Sequence, residues 1–128
     1  MRCLLDTHVL FWWLIDRSRL SVRAAAVIRA KANEITVSTA SAWEMAIKVG
    51  SGKWPEASGL LDNFVSEVAA DDFRILPISI SHVRAAGLMQ SPHRDPFDRL
   101  LAAQGQVEGL TLITSDTKLQ ALGAPWLW

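Results

Sequence analysis

Asp6, Glu44, Asp95, Asp98 and Asp116 are the side chains of this sequence best placed to do chemistry. Asp6 follows the apolar run Cys3-Leu4-Leu5, Glu44 lies soon after Ile35-Thr36-Val37, and Asp116 comes just past Leu112-Ile113-Thr114. Asp95 and Asp98 bracket Pro96-Phe97. Carboxylates gathered at one place repel each other unless a cation neutralises them. An all-oxygen, acid-rich set selects hard divalent ions such as Mg²⁺ or Mn²⁺. Such ions activate a water and offset the charge that builds on a phosphodiester, so the implied reaction is hydrolysis without a covalent intermediate. Each acid alone has a plainer explanation, because carboxylates cap helix N-termini and offset the helix dipole. Asp95 and Asp116 read as N-caps, and Glu44 as the far half of a capping box begun by Ser41. The hypothesis therefore rests on the set.

The elements around these acids decide whether they meet. Arg2-Cys3-Leu4-Leu5, Glu34 to Val37, Phe73 to Leu76 and Thr111 to Thr114 read as four short strands, with Trp126 to Trp128 as an edge strand. Helices are expected through Leu10, Trp13 and Leu14, over Val22 to Lys31, from the Ser41 capping box to Gly50, and from Ser81 to Leu88. Leu60, Leu61, Phe64, Val65 and Val68 predict one continuous helix between them. Pro96 suits the first turn of the helix carrying Asp98, and a short helix is expected after Asp116. Strands alternating with helices imply crossover connections and a buried parallel sheet. The expected fold is a three-layer α/β/α sandwich with a central, mainly parallel sheet of four to five strands. In such a sheet ligands bind beyond the carboxyl ends of the strands, which is where Asp6, Glu44, Asp98 and Asp116 fall.

Bulk properties narrow the classes. At 128 residues, half of them apolar, the chain reads as one domain spanning 1–128 that fills its core without disulfides. Thirteen basic residues balance thirteen acidic ones, so nucleic acid would be held by a local patch and not by a global field. Lys48, Arg94, Arg99 and Lys118 are the basic candidates near the acidic edge, although Lys48 has the i,i+4 spacing of an ion pair with Glu44 and Arg99 is set to pair with Asp95. Cys3 is alone, which excludes multi-cysteine zinc sites and suits a reducing cytoplasm. The run Val9 to Ile15 is too short to cross a bilayer, so no membrane association is expected. Of the six tryptophans, Trp13 and Trp43 read as core, and Trp12, Trp54, Trp126 and Trp128 include candidates for a partner surface.

Several alternatives fail on single positions. Gly50-Ser51-Gly52-Lys53 resembles the tail of a phosphate-binding loop, but Ile47 and Trp54 occupy positions that need Gly and Ser or Thr. A receiver domain needs an Asp after the third strand, where Leu76-Pro77-Ile78-Ser79 has none. A haloacid-dehalogenase-type phosphatase needs a second Asp two residues after the first, and His8 is there. His8, His82 and His93 are too scattered for a metal set, and for His8 and His93, the two nearer the site, local hydrogen bonding is the reading.

Four segments carry a family resemblance: Leu4-Leu5-Asp6-Thr7-His8, Val37-Ser38 through Trp43-Glu44 to Lys48, His93-Arg94-Asp95-Pro96-Phe97-Asp98-Arg99, and Leu112-Ile113-Thr114-Ser115-Asp116. Together they are similar to the PIN-domain ribonucleases, specifically the VapC-like toxins of bacterial toxin–antitoxin pairs. The resemblance implies metal-binding acids at Asp6, Glu44, Asp98 and Asp116, with Thr114 as a hydroxyl beside the metal and Asp95 in support. It implies Mg²⁺- or Mn²⁺-dependent endoribonuclease activity, a homodimer, and inhibition by a small cognate antitoxin. Met89-Gln90-Ser91 and Ser115 depart from the Leu-Pro and the basic residue common in relatives. Two other readings stay open: a PIN fold kept as a binding module without catalysis, and a nuclease acting on DNA.

Overall fold

A strand can bury consecutive side chains only when both faces of its sheet are covered. Cys3, Leu4 and Leu5 are all completely buried. The structure, a computed structural model describing residues 1–128, places them in β1 (Arg2–Leu5) at the centre of one sheet. Around it lie β2 (Glu34–Ser38), β3 (Arg74–Leu76), β4 (Thr111–Ile113) and β5 (Trp126–Leu127), all parallel, in the order β3-β2-β1-β4-β5. The expected parallel sandwich is thus observed, with five strands.

Side-chain alternation along β1 divides the core. Cys3 and Leu5 point to the face covered by α1 (Thr7–Ile15), α2 (Val22–Arg29), α4 (Ser58–Asp62) and α5 (Phe64–Ala70), where they join Leu10, Trp13, Ile28, Leu60 and Phe64. Leu4 points to the opposite face and packs with Leu101 and Ala102 of α7 (Pro96–Glu108) and Leu119 of α8 (Thr117–Gln120). A smaller cluster of Ala40, Ala86, Leu100 and Ala103 joins α7 to α3 (Thr39–Gly50) and α6 (Ile80–Leu88). Small residues here let the three helices approach closely. Gly109 ends α7 in the left-handed conformation that turns the chain into β4.

Local capping sets several boundaries that the hydrophobic pattern misses. The single helix expected from Leu60 to Val68 is broken at Asn63. Its side-chain amide donates to the Gly59 carbonyl (3.0 Å) and its N–H to that of Leu60 (3.2 Å), competing with the helical pattern. Val65 is consequently exposed. Helix α3 starts three residues earlier than the Ser41 capping box predicts, because the Ser38 hydroxyl accepts from the Ala40 N–H (2.9 Å). That phase buries Ala40, Ser41, Glu44 and Met45, and it leaves Trp43 and Ile47 on the outer face. Trp43 is therefore not a core residue, whereas Trp13 is. Helix α6 starts at Ile80, capped by Ser79 in a box whose return bond comes from the Ser79 N–H to His82 Nδ1 (2.9 Å).

No helix is long and apolar enough to cross a membrane. The two-sided burial of β1 has a direct consequence for stability. Leu4→Ala should cost about 3 kcal/mol in urea unfolding, and Val22→Ala, at a position 90% exposed, should change stability by less than about 0.5 kcal/mol. A Leu4→Ala loss below about 1 kcal/mol would contradict burial on both sheet faces.

Candidate active site

The strand order reverses direction of growth beside β1, since β2 lies on one side of it and β4 on the other. At that switch point the helices leaving the two strands diverge, opening a crevice above their carboxyl ends. Asp6 sits there. Its N–H donates to the Ile113 carbonyl (3.1 Å), which extends the β1–β4 pairing one residue past the strand. The Thr114 hydroxyl donates to Asp6 Oδ2 (2.9 Å) and in turn accepts from the Asp116 N–H (3.0 Å). Gln120 Nε2 holds the Thr114 carbonyl (2.8 Å). One buried hydroxyl thus locks Asp6 and begins the turn that carries Asp116.

The second side of the crevice is α3. Thr7 and Ser41 hydroxyls are completely buried and share a hydrogen bond (2.9 Å), which joins the first turn of α1 to α3. One turn further along α3, Glu44 is buried and paired with Lys48 Nζ at 2.9 Å. Lys48 therefore makes the ion pair that its spacing predicts. The third side is the start of α7. Asp95 Oδ1 accepts from the N–H groups of Phe97 (2.9 Å) and Asp98 (3.4 Å), so it is the N-cap. Asp98, buried in that first turn, accepts from His93 Nε2 at 2.7 Å. Asp116 is exposed and caps α8 through the Lys118 N–H (2.9 Å).

These acids share one electrostatic environment. Burial pushes the Asp6 carboxyl above its usual range, the Thr114 bond and His8 pull it down, and Glu44 and Asp116 push it up again. Asp98 is raised to about 6, first by burial, against the His93 bond and with the help of Asp95, Asp6 and Asp116. Each side chain is nonetheless held by its own partner. No three Asp, Glu, His or Cys side chains stand close enough together to grip an ion as they are arranged. The arrangement is four neighbouring carboxylates held apart, not a closed coordination shell.

The basic candidates divide. Lys118 lines a cleft of about 570 Å³ together with His93 and the residues Met89 to Pro92, beside Asp98. Arg94 is exposed and lines a second cleft with Trp43 and Val83. Arg99 does not pair with Asp95; its guanidinium donates to the carbonyls of Ala86, Met89, Ser91 and His93. These bonds occupy four of its five N–H donors. Sequence reasoning also missed the Thr7–Ser41 link and the His93–Asp98 bond. A histidine five residues ahead of an acid in the first turn of a helix was the available signal for the latter.

Donor chemistry is what a hard cation requires: oxygen donors only, two of them buried enough to raise their carboxyls, and every one repelled by another. Residues 3–125 match the PIN domain family. Ribonuclease VapC22 of Mycobacterium tuberculosis is 32% identical over 119 residues, covering 92% of this chain and 89% of that protein. Among solved structures, VapBC2 from Rickettsia felis bound to a promoter DNA fragment superimposes with a TM-score of 0.71 at 19% identity, over 99% of this chain and 98% of that one. VapBC-5 from Mycobacterium tuberculosis gives 0.63 at 19% identity, over 98% and 95%. The chain belongs to the PIN-domain family, on its VapC-like branch.

Proposed function

We propose that this protein is the toxin of a toxin–antitoxin pair and a metal-dependent endoribonuclease that cleaves RNA phosphodiester bonds at the Asp6 crevice. The reading is supported above all by the neighbouring positions of Asp6, Glu44, Asp98 and Asp116 around the switch point of the sheet, where Glu44 and Asp116 raise the Asp6 carboxyl and Asp6 and Asp116 raise that of Asp98. Asp6, Asp98, Glu44 and Asp116 are the residues that would hold Mg²⁺ or Mn²⁺. Bound there, the ion supplies a water acidified toward neutrality and positive charge for the phosphodiester. The protein's own part is positioning. Thr114 fixes the rotamer of Asp6, His93 that of Asp98, and Lys48 that of Glu44. Asp95 starts the helix that presents Asp98, and exposed Arg94 and Lys118 offer charge to the RNA backbone.

Partner surfaces follow from the apolar side chains that the fold leaves outside. Trp43 and Ile47 on α3 and Val83 and Leu88 on α6 are each 45% exposed or more. Trp43 and Val83 border the same cleft of about 670 Å³. A second copy of the chain packed there would form a homodimer whose interface adjoins Glu44. The relatives VapBC2 and VapBC-5 are toxin–antitoxin complexes, and a small antitoxin laying an apolar segment on this chain, with an arginine directed at Asp6 and Asp98, is the corresponding partner.

Asp6→Asn should keep the fold and lower RNA cleavage in Mg²⁺ or Mn²⁺ by at least about a hundredfold, since the amide keeps the shape and loses the charge. Expression of the wild type should arrest growth, Asp6→Asn should not, and co-expression of the antitoxin should restore growth. Cleavage that survives excess EDTA contradicts the proposal, and cutting of single-stranded DNA alone favours the DNA reading.

Stability supplies an independent check. Asp98 binds its proton more tightly when folded (about 6) than at the ordinary 3.8. Its contribution is thus fully present below about pH 4 and lost as pH rises through 6. Without metal, Asp98→Asn should melt higher than wild type at pH 7.5, by about 4 °C once solvent screening and the lost His93 bond are discounted. Near pH 4 the difference should disappear. Equal melting of both proteins across this range would show that neither burial nor the neighbouring acids disfavour the charged Asp98.

Light scattering at micromolar concentration should give a dimer mass for wild type and a monomer mass for Trp43→Asp. A dimer that persists in Trp43→Asp moves the interface elsewhere.

A further inference from the structure

The loop between α6 and α7 has no helix or strand of its own, yet it carries His93 to Asp98. Its carbonyls need donors from elsewhere, as do the last carbonyls of α6. Arg99 provides them. Its Nε donates to Ala86 O (3.0 Å), Nη2 to Met89 O (2.6 Å), and Nη1 to both Ser91 O (3.4 Å) and His93 O (3.0 Å). A guanidinium has five N–H donors in a rigid planar fork, and these four bonds commit nearly all of them to the main chain. The side chain thus spans the end of α6 and the whole loop from one position on α7. Within the loop the Ser91 hydroxyl accepts from the His93 N–H (3.2 Å), so the backbone of His93 is held on both its N–H and its carbonyl. From that fixed backbone the imidazole reaches Asp98, its Nε2–H donating to Oδ2 (2.7 Å).

We infer that Arg99 is a positioning residue for the carboxylate site, acting on Asp98 through the Met89–His93 loop and the His93 imidazole, and not a contact to RNA. The inference rests on the reading of Asp98 as a metal ligand. A carboxylate that binds a metal depends on the groups that hydrogen-bond its other oxygen, and removing such a group typically weakens metal binding ten- to a hundredfold. A lysine cannot stand in for Arg99, because one ammonium on a flexible stem does not reproduce a planar fork across four carbonyls.

The test is a double-mutant cycle on the full chain, read by Mn²⁺ binding from the paramagnetic resonance signal of the free ion. His93→Ala and Arg99→Lys are each expected to weaken Mn²⁺ binding about tenfold. Adding Arg99→Lys to His93→Ala is expected to cost less than about a further twofold, because the second change acts through a group already gone. Proton resonance of the metal-free protein gives a second reading. The His93 Nε2–H should appear far downfield in wild type and be lost or broadened in Arg99→Lys, while the His82 Nε2–H, bonded to Glu108 at 2.8 Å, stays as an internal control. Arg99→Gln replaces Arg99→Lys in both measurements if the lysine variant does not fold. Additive losses in the cycle, a His93 signal unchanged by the Arg99 substitution, or a wild-type His93 proton exchanging like that of a surface histidine overturn the proposal. Wild type that binds no Mn²⁺ overturns the metal reading and this inference together, whereas saturable binding with additive losses removes only the inference.

Discussion

Parallel pairing of β1 with β4 is the constraint on which the remainder of the molecule depends. It brings two segments more than a hundred residues apart in sequence into register, Leu5 beside Ile113. The next residue after each strand is thereby brought together with its counterpart: Asp6 and Thr114, joined by a buried hydrogen bond of 2.9 Å. Everything that covers the two sheet faces serves to keep this pair buried and fixed. Without Leu4 and Leu5 packed on opposite faces, the register that sets Asp6 against Thr114 would have little to specify it.

Burial also creates the tension at the site. A carboxylate removed from water prefers its proton, and neighbouring carboxylates add to that preference. The structure relieves it one acid at a time, with a hydroxyl on Asp6, an ammonium on Glu44 and an imidazole on Asp98. The His93 bond does not outweigh burial and the neighbouring Asp95, Asp6 and Asp116, so the carboxyl of Asp98 stays as high as about 6. The same donors limit how far each carboxylate can swing, so the site keeps its shape while its charge is uncompensated.

Much of this was legible in the sequence because it is local. An apolar strand ending in Asp6, an Asp95 cap followed by Pro96, and the i,i+4 pair of Glu44 and Lys48 all report their structure from neighbouring residues, and each is found as read. What escaped was settled by choices a few residues away or by tertiary contact. Trp43 is exposed because it shares the outer face of α3 with Ile47 while Ala40, Ser41, Glu44 and Met45 turn inward, and Asn63 breaks a helix whose hydrophobic stripe runs straight through it. Arg99 was misread for a different reason. Its partners are backbone carbonyls, which have no residue identity, and no pattern of side chains announces them. His93 became a partner of Asp98 only once that loop had a fixed path.

The central claim is that Asp6 and Asp98 share a divalent cation at the switch point. Anomalous diffraction from a crystal of the full chain equilibrated with Mn²⁺ tests it directly. The account predicts one dominant anomalous peak within about 2.5 Å of carboxylate oxygens from both Asp6 and Asp98, a span set by hard-cation coordination distances. At saturating Mn²⁺, a peak elsewhere on the molecule, or a crevice with no anomalous density, would contradict it.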